Sequence, residues 1–161
     1  AQACRANRPH ARVEQSALSA PGASGVTIFH SVGEGHLGMY SYHQTNSPHA
    51  ELLSRNKFPQ TAISVPLTTL DALLVDHSGP IDFAVIDVEG GEIPLLQGFD
   101  LARFRPRVLM VEDNSKGQDK SLDTFFAGKP YELVGWVEVN RVYIRSDEEG
   151  LKARARRALG A

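Results

Sequence analysis

Apolar runs separated by turn-forming residues divide this chain into alternating segments. The clearest run, Ile81-Asp82-Phe83-Ala84-Val85-Ile86-Asp87-Val88, lies between Ser78-Gly79-Pro80 and Gly90-Gly91. Its near-continuous apolar character predicts a parallel-sheet strand covered on both faces. Val108-Leu109-Met110-Val111-Glu112 predicts a second buried strand. Between the two, residues 92–101 put Ile93, Leu96 and Phe99 on one helical face, with Pro94 tolerated in the first turn. Residues 122–126 predict a short helix. Residues 131–137 and 141–145, separated by Glu138-Val139-Asn140, predict an antiparallel hairpin.

Upstream, residues 62–67 read as extended, and Thr68 or Thr69 can cap a helix over residues 70–75. Residues 12–18 and 26–29 flank a Pro-Gly turn and predict a hairpin. Residues 1–7 read as the last turns of a helix stopped at Arg8-Pro9, and residues 31–59, rich in Gly, Pro, Ser, His and Asn, as a long loop. Residues 147–161 are acidic first and basic last, which predicts an exposed helix whose charges complement its dipole. The ordering of helices and strands is that of an α/β domain. It divides into residues 1–146, a partial domain, and a helical tail over residues 147–161.

Composition narrows the classes. At 161 residues and 42% hydrophobic the chain can bury a core of its own. A net charge of -2 supplies no broad field for nucleic acid or an anionic membrane. No apolar run approaches the roughly 20 residues that span a bilayer. Cys4 stands alone, which removes an internal disulfide or a cysteine zinc cluster and fits a cytoplasmic protein. The chain starts without Met in what reads as mid-helix, the expectation being an N-terminally truncated domain.

Candidate chemistry collects where the two buried strands end. One runs into Asp87-Val88-Glu89-Gly90-Gly91-Glu92, the other into Glu112-Asp113-Asn114. In open α/β sheets ligands sit beyond the carboxyl ends of the parallel strands. Acids there are solvated by water or ligand, and Gly90-Gly91 allows close backbone approach. The plainer alternative makes Glu89 and Glu92 a helix start, Gly90-Gly91 a turn and residues 112–114 the beginning of a loop. His30, His36, His43 and His49 lie in or beside the long loop without metal-ligand spacing, and read as solvated. Trp136 and Tyr143 read as packing residues, and Arg154-Ala155-Arg156-Arg157 as a solvated helix face.

Three blocks carry a resemblance. Val65-Pro66-Leu67-Thr68-Thr69-Leu70-Asp71, then Ile86-Asp87-Val88-Glu89-Gly90-Gly91-Glu92-Ile93-Pro94-Leu95-Leu96-Gln97-Gly98, then Arg105-Pro106-Arg107-Val108-Leu109-Met110-Val111-Glu112, resemble successive blocks of the FkbM methyltransferase family in order and spacing. Weaker similarity at residues 17–19 and 140–145 extends this over most of residues 10–146. The resemblance implies a Rossmann-like class I methyltransferase sheet, mostly parallel with an antiparallel C-terminal hairpin and here without its first two strands. It implies methyl transfer from S-adenosylmethionine to a hydroxyl of a small molecule or glycan. By position it makes Asp87, Glu89 and Glu112 the catalytic acids, with Asp87 or Glu89 as base and Glu112 orienting the acceptor. Ser16, Ala17, Leu18 and Asp87 become the cofactor-binding residues. The family's Gly-rich turn after strand one and acid after strand two have no counterpart here; Gly33-Glu34-Gly35-His36-Leu37-Gly38 follows the third strand instead. Two other classes stay open: a catalytically silent binding module, and a hydrolase assisted by Mg²⁺ on the acidic strand ends, no metal site being favoured. An exposed sheet edge would favour pairing with a second copy.

Overall fold

The computed structural model of this chain describes residues 6–32 and 60–160. The expected helix over residues 1–7 and loop over residues 31–59 lie largely outside the described residues, which include helical residues 6–7 and the strand end at 31–32. Seven strands and five helices follow in chain order among the described residues: β1 Ala17–Leu18, β2 Val26–Val32, β3 Gln60–Thr68, α1 Leu70–Leu73, β4 Phe83–Ile86, α2 Glu92–Gln97, α3 Leu101–Phe104, β5 Val108–Glu112, α4 Ser121–Phe126, β6 Tyr131–Val137, β7 Asn140–Arg145 and α5 Glu149–Leu159. They build mixed sheets with helices, an α/β domain. One sheet has the order β1-β3-β2, the other β4-β5-β7-β6. Only β1/β3 and β4/β5 are parallel among the described pairings, so the sheets are not mostly parallel as expected.

The expected hairpin between residues 12–18 and 26–29 does not form. β3 lies between β1 and β2, antiparallel to β2 across seven registered pairs and parallel to β1 across two. Leu67 N–H donates to Gly25 O while Ser19 N–H donates to Thr68 O, so even-numbered residues of β3 face β1. On that side Pro66 has no N–H to give, and the ladder starts only at Leu67. Arg12, expected in the strand, instead bonds Glu14 and the carbonyl of Leu73.

The helix expected over residues 92–101 is two helices. Asp100 caps α3 by accepting from Ala102 and Arg103 N–H, and its own N–H donates to Asp71 Oδ1 at 2.6 Å. Gly98 ends α2 at a point where an added Cβ would collide with the carbonyl oxygen of Ser19. Thr69 caps α1, its side chain accepting from Ala72 N–H.

β4 also differs from expectation, because only one of its faces is covered. Ile86 is buried, but Phe83 and Val85 are 54% and 53% exposed, and β4 stands at the edge of its sheet. The main core lies on the other face, where Ile86, Leu109 and Val111 meet Leu95, Leu96, Phe99, Leu122 and Tyr143. The terminal hairpin turns at Glu138-Val139, with β7 inserted between β5 and β6. The tail is a helix, acidic in its first turn and basic in its last as expected, but one of its faces is covered: α5 packs Leu151, Ala155 and Leu159 on Val134, Val142 and Ile144, while buried Lys152 bonds Glu132 and Glu149. No helix among the described residues is long and apolar enough to cross a membrane.

Candidate functional site

β4 and β5 run parallel with Ile86 beside Val111 near their carboxyl ends. One residue further along, Asp87 leaves β4 and Glu112 closes β5, so the strand register itself sets these acids side by side. Glu89 joins them through a tight turn in which Glu89 has φ +54 and Gly90 φ +96. A left-handed backbone at a glutamate costs roughly 1–2 kcal/mol, which neighbours must offset. Glu92 does so from the start of α2: its Oε1 accepts the N–H of Val88 at 3.2 Å and of Gly90 at 3.1 Å. Asp87, Glu89 and Glu112 each bring one carboxylate oxygen within 4.8 Å of the others.

This proximity changes their acidity. Burial first, then the charges of Asp87 and Glu92, pushes Glu89 up to about 7. Glu112 is also pushed up to about 7, by burial and then by Asp87 and Glu89, against a smaller opposing effect of its hydrogen bond with Asn114. Both oxygens of a carboxylate need donors when buried, yet Glu112 Oε2 is buried with no hydrogen-bond partner among the described residues. A proton on Glu112 relieves that cost, which is the same physics as its raised midpoint.

A cavity of about 430 Å³ opens at this rim. Residues 89–93 contribute Glu89 and Ile93 to one part of its lining, and residues 112–122 contribute Glu112, Asn114, Ser121 and Leu122 to another; among the described residues the lining contains no Lys or Arg. Such a pocket suits a neutral, hydroxyl-bearing ligand or a cation better than an anion. Three carboxylate oxygens so close together are also a donor set for a hard cation such as Mg²⁺.

The structure therefore brings Asp87, Glu89 and Glu112 together. Ser16 precedes β1 and Ala17 and Leu18 form it; like Asp87, they are not among the described residues that line the cavity. Leu18 packs against the main core. His30 lies in β2, and the other three loop histidines fall outside the described residues, as does the Gly33 to Gly38 cluster. Sequence reasoning missed Glu92 as the lock on the 88–90 turn, and it missed Arg141. No local pattern marked Arg141, which stands second in β7 between Asn140 and Val142, because the acids that a buried guanidinium requires come from elsewhere in the fold. Trp136 and Tyr143 are packing residues as expected, Tyr143 stacking on Phe126 at 3.8 Å between ring centroids.

A family model described as the methyltransferase FkbM domain matches residues 4–133, which include every element from β1 to α4. No curated protein and no solved structure matches the chain.

Proposed function

Because the chain belongs to the methyltransferase FkbM family, we propose that it is an S-adenosylmethionine-dependent O-methyltransferase, acting in the cytoplasm on a hydroxyl of a small molecule or glycan. The observation that supports this most directly is the meeting of Asp87, Glu89 and Glu112 at the ends of two adjacent parallel strands, beside a cavity. In this reading β4-β5-β7-β6 corresponds to the part of a Rossmann-like class I sheet that carries the reversed terminal hairpin.

Methylating a hydroxyl requires that its proton leave. A carboxyl with a midpoint near 7 is about half ionised at neutral pH and is a stronger base than an exposed carboxylate. Glu89 takes that proton, and Glu112 holds the acceptor oxygen, donating when protonated and accepting when ionised. Asp87, exposed and adjacent, contributes negative charge at the strand end. Bound S-adenosylmethionine supplies an electrophilic methyl on a cationic sulfur, and the carboxylate rim matches that charge. Asp87, with Ser16, Ala17 and Leu18 at β1, would hold it.

Calorimetry with S-adenosylmethionine and its demethylated product, followed by transfer assays over a panel of polyols and glycans, tests the proposal. Both are expected to bind. Glu89→Gln should lower transfer by about 100-fold or more, in the range general-base removal gives, while leaving cofactor affinity within about threefold. No heat with either compound would favour a silent binding module. The three clustered oxygens also fit a Mg²⁺-assisted hydrolase, and hydrolysis that depends on Mg²⁺ without any methyl transfer would favour that reading.

A further inference from the structure

Much of the cavity lining is one continuous stretch, residues 112–122, that leaves β5 and enters α4. Residues 113–120 are turns and irregular backbone, closed locally by Lys116 N–H on Asp113 O, Gln118 N–H on Ser115 O and Asp119 N–H on Ser115 Oγ. The stretch is also fixed from behind by a residue that does not line the cavity. Arg141, on β7, is 1% exposed. Its Nε donates to Asp113 Oδ2 at 2.7 Å, its Nη2 to the carbonyl of Asp119 at 3.4 Å, and its Nη1 to Asp123 Oδ1. The guanidinium also lies 5.1 Å from the Trp136 ring, and its Nη1 lies 3.4 Å from the Tyr143 hydroxyl.

We infer that Arg141 is a positioning residue of the candidate site: one buried guanidinium holds this wall at Asp113, at Asp119 and, one residue past it in α4, at Asp123, and so sets where Glu112, Asn114 and Ser121 stand around the cavity. The inference rests on reading that cavity as the active site. Asp113 passes the constraint on, because the carboxylate held by Arg141 accepts in turn from Ser115 N–H at 3.0 Å, Ser115 Oγ at 2.5 Å and Gly117 N–H at 3.1 Å. Burial alone would raise Asp113, but the bonds from Ser115 and Arg141 hold its carboxyl below the ordinary value, so it stays charged and keeps accepting. The planar fork of arginine is required. A lysine ammonium at this position carries the charge but cannot reach three divergent acceptors at once.

Arg141→Lys separates positioning from simple stabilisation, because it keeps the buried charge. By native-state hydrogen exchange, the amides of Ser115 and Gly117 should exchange about tenfold faster or more, while those of Leu109, Val111 and Tyr143 stay within about twofold, the pattern of a locally released wall. Methyl transfer should fall by about tenfold with the acceptor KM raised, as Glu112 and Asn114 lose their fixed places. Unchanged exchange at Ser115 and Gly117 overturns the inference, as does equal acceleration in the sheet, which marks a structural role alone. A loosened wall with wild-type transfer overturns it too. Should the lysine variant be too unstable to purify, Asp123→Asn, which frees the guanidinium from its half-exposed partner, is judged by the same criteria. Absence of transfer in the wild-type protein counts against the proposed function and leaves the exchange criterion to decide on Arg141.

Discussion

The two sheets of this protein are held together by different means. Every strand of β4-β5-β7-β6 contributes at least one buried apolar side chain, from Ile86 on β4 to Val134 on β6, and helices cover them. Among the described side chains of β1, β2 and β3 only Val65 is buried, and Val26 and Ile28 are exposed. What holds β2 to β3 is the backbone ladder, seven registered pairs, with little side-chain burial behind it. A ladder fixes direction and register, but burial supplies most of the stabilisation of a domain. The carboxylate rim stands on the buried sheet, where supporting side chains have few alternatives, and this is the half in which a site can be held to a fraction of an ångström.

The sharpest test of that contrast removes a charge from each side. Asp113→Ala leaves the buried guanidinium of Arg141 short of its best partner and should cost about 4 kcal/mol in urea unfolding, as breaking a buried pair does. Glu14→Ala breaks an ion pair whose members are exposed, and the midpoint should not move. A comparable loss from Glu14→Ala would erase the distinction. Apolar truncation gives the next largest difference. Leu109→Ala, at a side chain with no exposed surface, should cost about 3 kcal/mol, and Val65→Ala about 1–2 kcal/mol.

Gly98 is the seam between the halves. Around it Ser19 N–H meets Thr68 O, Asp71 N–H meets Gly98 O, and Asp100 N–H meets Asp71 Oδ1. An added Cβ would press on the backbone of Ser19 and on Thr69, neither of which is the pliable end of a long side chain. Gly98→Ala should therefore cost about 2 kcal/mol despite its gain in helix propensity. Its effect on exchange should be concentrated at Ser19 and Asp71, with β5 and β7 protected as before. Uniform loss of protection would mean that the two sheets unfold as one unit.

The half that was legible in the sequence is the half with the core. β5 was readable to the residue because five consecutive positions are apolar or end in an acid, and the terminal hairpin because its partners are neighbours in the chain. β1 was misassigned for the converse reason. Its partner β3 comes after residues 33–59, and local turn chemistry pointed to β2 instead. The acidic rim was legible because both strands announce their ends with Asp87 and Glu112, although their pairing depends on a register that no local pattern encodes. Arg141 was not legible, since its acids lie 28 and 18 residues away and only the fold brings them to it. The exposure of Phe83 and Val85 was hidden likewise: an apolar run states what a strand could bury, not whether anything covers it.

The smallest expected effect is the one most specific to the site. Glu89 and Glu112 have ordinary midpoints of 4.5 and are held near 7 in the folded protein. Between these values the native state binds more protons than the unfolded chain, so stability falls as pH rises from about 4.5 to about 7. Below that window their contribution is fully present, and above it the curve is flat. Asp113 and Glu148, held below their ordinary values of 3.8 and 4.5, act in the opposite sense and at lower pH, meeting this window only at its acid edge, so the slope is read most cleanly above about pH 5.5. Water reaches the rim and the two glutamates share one repulsion, which leaves on the order of 1 kcal/mol for each. Glu112→Gln keeps the shape, removes one charge and eases the repulsion on Glu89. Urea midpoints of this variant should match the wild type at pH 4.5 and exceed it at pH 8, so that the slope between them is roughly halved. A wild-type stability that rises across that interval would mean that Glu89 and Glu112 are ionised at neutral pH without penalty, and neither could then serve as the base that an oxygen acceptor requires.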